Sequence, residues 1–190
     1  MIATAVVGAV VLGVSLRVEP GSDWFYPATL GLAAVWALGA LASGPLPLAR
    51  PTFAPVLVGA GLAGVFVLGG VVVREMEPLA EQVSKVLDYA DHGPLPVLVL
   101  VTAVNGVAEE LFFRGAAYDA IPRHPVVWTA LASAAATAAA GNVMLAFAAL
   151  VLGVVVGVER ARTGALMAPI LTHVTWSLSM LLVLPALFGA

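Results

Sequence analysis

The stretch "NGVAEELFFRG", residues 105 to 115, places two adjacent carboxylates and a guanidinium in a region otherwise almost free of charge. Glu110 and Arg114 are four residues apart, the spacing at which opposite charges on a helix pair and neutralise one another. Glu109 has no such partner, and Asn105, four residues before it, shares its face. A lone carboxylate beside an amide in apolar surroundings suits a general base working near neutral pH. Each ionisable residue within a membrane span costs at least about 2.5–3.5 kcal/mol, so such residues are rare and turn toward a bundle interior or a wet cavity. Two carboxylates with one arginine exceed what a helix-to-helix staple requires.

A second constellation is "PILTHVTWS", residues 169 to 177. His173 and Ser177 lie one turn apart on one face, with Thr172 and Trp176 as the neighbouring pair. At 1.5 Å per residue, His173 falls roughly 12 Å from the end of its span near Gly164, and Glu109 roughly 18 Å from Pro122. Both depths run from the same side of the membrane, so Glu109 and His173 are expected to line one cavity. His92 and His124 flank glycine or proline in loops and are read as solvent-exposed.

The composition says what must position these groups. The 190 residues are 62% hydrophobic and 10% charged, with a mean hydropathy of +1.06; a soluble domain carries about 25% charged residues. The expected fold is all-α, a polytopic transmembrane bundle of about seven helices, six to eight in range. Apolar runs of the length a span needs lie near 2–16, 27–43, 55–73, 94–120, 126–141, 142–158 and 165–188, separated by breaks rich in proline and glycine. Helices are required because they satisfy their own backbone groups in lipid. The stretch 74–93 mixes apolar and charged residues at helical spacing, either an amphipathic segment lying on the membrane surface or a plain extramembrane helix. The chain is thus read as one integral-membrane domain: N-terminal helices with this segment over 1–93, and a core over 94–182.

The first run has no basic flank and is read as a retained helix rather than a cleaved signal. Arg50, Arg123, Arg160 and Arg162 share a side with the N-terminus, against Arg17, Arg74 and Lys85 opposite, a narrow preference for a cytoplasmic N-terminus. Gly153 and Gly157, and the cluster Gly59, Gly61 and Gly64, are read as ordinary packing positions. No basic arm or basic-aromatic stripe is present, which excludes a nucleic-acid partner. With no cysteine, thiol catalysis and disulfides are excluded.

"EELFFRG" resembles the E-E-x-x-x-R signature of the CPBP family of intramembrane metalloproteases, also called the CAAX-protease and bacteriocin-processing or Abi family, which includes the type II CAAX prenyl endopeptidases. "LVLGVVVGVERARTGALMAPILTHVTWS" resembles the family's C-terminal half, and the resemblance covers roughly residues 94 to 182. It implies that Glu109 is the catalytic glutamate that activates water, that Glu110 and Arg114 support it, and that His173 is the histidine of the last motif. It also implies a divalent metal, zinc, for which Glu109 and His173 are the candidate ligands. Two departures are visible. The family's Phe-x-x-x-His is absent from "SAAATAAAGNVML", where Asn142 is the one strongly polar residue near that position and the candidate replacement. The last motif ends in Ser177 where asparagine is usual. A set of His, Glu, Asn and Ser is a poor zinc cage, since catalytic zinc takes about three protein ligands.

The sequence therefore points to an endopeptidase acting on a hydrophobic or lipidated peptide amid membrane lipid, in a multi-pass protein of a bacterial cell membrane. Two alternatives stand beside it. One is an impaired family member that binds peptide for immunity or scaffolding. The other is a proton-coupled transporter using Glu109 as a relay, against which the chain shows no paired halves.

Overall fold

The computed structural model describes residues 1–189, and of Asp91 the backbone alone. Eight helices follow one another in the described residues: α1 (Ile2–Ser15), α2 (Phe25–Leu41), α3 (Ala54–Val73), α4 (Glu77–Asp91), α5 (Leu95–Ala120), α6 (Pro125–Ala138), α7 (Val143–Thr163) and α8 (Met167–Phe188). Seven are apolar and lie where the apolar runs place them; α4 is the amphipathic one. Four of them, α3, α5, α7 and α8, are long and apolar enough to cross a membrane. By contrast α1 and α6 have 14 residues each, about 21 Å of helix against a hydrocarbon layer of about 30 Å. Leu57, Val65, Leu68 and Val72 of α3 are each at least 60% exposed, an apolar face of the kind that membrane lipid covers. The protein is an integral membrane helical bundle.

Connections alternate between two faces. On the first, Ser43 Oγ reaches the Met1 sulfur at 3.1 Å and Leu166 N–H donates to Pro47 O at 2.9 Å. On the second, Tyr89 of α4 donates to the carbonyls of Leu16 and Val18 and stacks on Phe25 with ring centroids 4.7 Å apart. With Leu87 also buried, α4 is docked on the bundle by specific contacts.

At the centre stands α5. Its segment Leu111–Ala117 is wound as a π-helix, and five consecutive residues, Phe112 to Ala116, are buried. No helix with a free face buries five residues in a row, so α5 is enclosed on all sides here. Trp36 of α2 packs on Phe112 and Phe113, with ring centroids 4.8 and 5.1 Å away, and Gly8 of α1 leaves the room that the indole occupies.

Three of the glycines read as ordinary packing positions mark close crossings instead. A Cβ on Gly153 would lie 3.1 Å from Ala130 Cα, and one on Gly157 3.0 Å from Val126 Cγ1, so α6 and α7 meet almost backbone to backbone. On α3, a Cβ at Gly59 would lie 2.6 Å from Thr172 O, whereas Gly61 and Gly64 face open space. Gly59→Ala is therefore expected to cost about 1–3 kcal/mol, and Gly64→Ala to be neutral or stabilising by up to about 1 kcal/mol. Thermal unfolding of the two variants in one detergent checks the contrast; equal midpoints would contradict the crossing.

Candidate functional site

The site grows from a single carboxyl oxygen. Glu110 Oε1 accepts from Arg114 Nη1 at 3.2 Å and lies 2.7 Å from His173 Nδ1. All three side chains are at least 90% buried. The first contact is the four-residue pairing that the spacing predicts; the second joins α5 to α8. With Nδ1–H donating to the carboxylate, the imidazole is fixed in orientation and its other nitrogen, Nε2, faces away from Glu110. Nε2 has no protein partner among the described residues and is not sealed from solvent-sized space.

Two glycines border this cluster, and one of them is required by it. A Cβ at Gly106 would meet His173 Cδ2 at 3.4 Å and Nε2 at 3.7 Å, so the ring edge rests on bare backbone one turn before Glu110. A Cβ at Gly153 would stand 2.8 Å from Arg114 Nη2, so this glycine serves the guanidinium as well as the crossing of α6 and α7. Arg114 Nη2 and Nε and Glu110 Oε2 are buried without partners among the described residues.

Glu109 lies beside this cluster and outside its hydrogen bonds. Its side chain is half-buried and within electrostatic reach of His173, Glu110 and Arg114. His173 bonds to Glu110, and Glu109, expected to line one cavity with His173, lies adjacent to both without a hydrogen-bond partner among the described residues. Asn105 shares the face of Glu109 but spends its amide on its own helix, donating to Val101 O at 3.0 Å; its Oδ1 is buried without a partner. Ser177 is half-buried one turn beyond His173.

Asn142 does not join them. Its side-chain oxygen caps α7 by accepting from Leu145 N at 3.0 Å, and its amide donates to Gln82 O of α4 at 2.6 Å. Both ends of the side chain are engaged at the second face, where α7 begins, so no amide oxygen is free to replace the missing histidine. His92 and His124 are exposed in loops.

Two charged residues at the first face were hidden by a misplaced helix end. Residues 159–164 read as a turn, yet α7 continues to Thr163 and stops at Gly164, which has φ +67° and N–H bonded to Arg160 O. A glycine in the left-handed conformation just past a helix is the usual stop, and applying that rule to the sequence would have put Glu159 and Arg160 inside α7. Arg160 Nε donates to Arg114 O at 3.0 Å and its Nη2 to Asp119 Oδ1 at 2.8 Å, clasping the π-helical segment. Glu159 Oε1 lies 2.9 Å from Thr172 Oγ1, next to His173.

No group of three or more His, Asp or Glu among the described residues is arranged to hold a metal ion. His173 Nδ1 and Glu110 Oε1 are spent on each other, which leaves Glu109 and one imidazole nitrogen where zinc would need about three ligands. The residues present do not fit a zinc site.

Residues 91–179, a little under half of the chain, match the family model described as Type II CAAX prenyl endopeptidase Rce1-like. All of Asn105, Glu109, Glu110, Arg114, Asn142, His173 and Ser177 fall within the match. No curated protein and no solved structure matches the chain.

Removing one member of the buried cluster strands the others. Arg114→Met is expected to cost about 3–5 kcal/mol, because Glu110 then stays buried with only an imidazole to balance it. Adding Glu110→Gln to Arg114→Met should recover part of that loss. Unfolding midpoints of the single and double variants in detergent test this, and a double variant weaker than Arg114→Met alone would contradict it.

Proposed function

From a chain whose residues 91–179 match the Type II CAAX prenyl endopeptidase Rce1-like family model, we propose an intramembrane endopeptidase that hydrolyses a peptide bond with Glu109 and His173. The observation that supports this reading best is the Arg114–Glu110–His173 chain, which spends one carboxylate on orientation and leaves the adjacent one, Glu109, without a hydrogen-bond partner among the described residues. A plain structural staple has no use for the second acid.

The chemistry follows from the charge count. Two carboxylates and one guanidinium leave one negative charge, and a proton on His173 Nε2 brings the cluster to zero. In that state Glu109 takes a proton from a water, and the hydroxide attacks the peptide carbonyl carbon. The carbonyl electron pair moves onto oxygen, where Nε2–H stabilises it with a hydrogen bond whose geometry Glu110 has already set. Glu109 then passes its proton to the amide nitrogen as the C–N bond breaks, and the carboxylate is regenerated. Ser177, one turn from His173, is a polar auxiliary to the same oxygen. No step uses a metal.

The substrate class consistent with this placement is a hydrophobic or lipidated peptide reaching the site through membrane lipid. The setting is a multi-pass protein of a bacterial cell membrane with its N-terminus in the cytoplasm. A second reading, a member that binds such a peptide without turnover, is favoured by the engagement of Asn142 at the opposite face, which leaves the site one polar group short.

Glu109→Gln should lower cleavage of a membrane-tethered peptide by about 10²–10⁴-fold with an unchanged unfolding midpoint; full turnover in this variant removes Glu109 from the mechanism. Prolonged dialysis of the purified protein against a chelator should leave cleavage intact. Loss of activity restored by zinc would instead assign a metal. A protein that retains peptide affinity without any cleavage is the non-enzymatic binder.

A further inference from the structure

Thr172 is fully buried, and its Oγ1 has two neighbours: Pro55 O at 3.0 Å and Glu159 Oε1 at 2.9 Å. A hydroxyl carries one proton and two lone pairs. Two oxygens at hydrogen-bond distance are both served only if one of them brings a proton of its own. A backbone carbonyl has none to bring; a carboxylic acid does.

The groups around Glu159 agree with that count. Arg160, its neighbour in sequence, is committed to Asp119 and to Arg114 O. Glu110 of α5 lies within electrostatic reach of Glu159 and is itself occupied by Arg114 and His173. From α3 the contact is the Pro55 carbonyl, and from α8 the Thr172 hydroxyl. No cation among the described residues is paired with Glu159.

We propose that Glu159 is a neutral carboxylic acid that donates to Thr172, which in turn donates to Pro55 O, and that this relay makes Glu159 a positioning residue for His173. The two bonds join α7, α8 and α3 at the residue next to the imidazole. They fix the rotation of α8 about its axis, and that rotation decides whether Nδ1 meets Glu110. A tight crossing at the same point supports the arrangement, since Gly59 brings α3 against the Thr172 carbonyl. A neutral Glu159 also adds no third negative charge beside Glu109 and Glu110. The consequence for cleavage rests on the protease reading above; the location of the proton does not.

The infrared spectrum of the purified protein at neutral pH reads the proton directly. Wild type is expected to show the carbonyl stretch of a protonated carboxyl group that Glu159→Gln removes, and Thr172→Val to shift that band by taking away its acceptor. Absence of any band lost in Glu159→Gln would overturn the proposal, whether or not the protein cleaves anything. For positioning, Glu159→Gln keeps a donor and should cleave like wild type with an unshifted pH profile. Glu159→Leu and Thr172→Val should each reduce kcat by about 10–100-fold with little change in KM, and the pair together should do no more than the worse single variant. Additive losses, or a Glu159→Gln variant as impaired as Glu159→Leu, would refute the relay. Should Glu159→Leu fail to fold, Thr172→Val and Glu159→Gln decide the question alone.

Discussion

A charged side chain in the hydrocarbon layer must find its counter-charge within the protein, because neither lipid nor water is there to supply one. Glu110 is where this constraint is resolved. One of its oxygens holds both a guanidinium and an imidazole, and those two groups come from different turns and different helices. Because the three groups must meet, α5 and α8 are fixed in depth and in rotation, and the room for the guanidinium comes from Gly153 on α7. The same contact that makes the bundle tolerable in lipid also aims one imidazole nitrogen away from Glu110. The fit of the bundle and the aim of the imidazole rest on one atom here.

The surroundings of Glu110 are built to keep it in place. The π-helical stretch that follows it packs against Trp36 on one side and is gripped through the Arg114 carbonyl by Arg160 on another. Insertions of this kind occur frequently at functional sites, because a wider turn frees carbonyls and re-aims side chains without breaking the helix. Arg160 accordingly acts as a backbone clamp, not as a loop charge. Its second contact, Asp119 at 2.8 Å, is half exposed at the first face and adds little in itself; the bond to the buried carbonyl is the one that orders α5.

The two faces divide the labour. The first carries Arg160, Asp119 and the Glu159–Thr172 pair, close to the charged cluster. The second carries α4, docked through Tyr89 and through Gln82, which meets both Asn142 and the backbone of Val143. Asn142 is thus part of the scaffold that closes the second face. Its polar character, which in the sequence looks like a replacement ligand, is explained by a helix cap and an interhelical bond.

Much was decided by sequence alone. Hydropathy places the seven apolar helices and the amphipathic one to within a few residues, since lipid admits only helices that satisfy their own backbone. Four-residue spacing pairs Glu110 with Arg114, because that contact is local to one helix, and the motif resembles that of the family whose model matches residues 91–179. What tertiary structure decided are the contacts between residues far apart in the chain. The choice of Glu110 over Glu109 as partner of His173 depends on how α8 is rotated against α5, which no local spacing encodes. Glu159 joins the site because α7, α8 and α3 cross at Thr172, and Asn142 leaves it because α7 starts at the other face. Gly59 and Gly64 are the same residue on the same helix, and only the position of a neighbouring carbonyl separates a crossing point from open lipid.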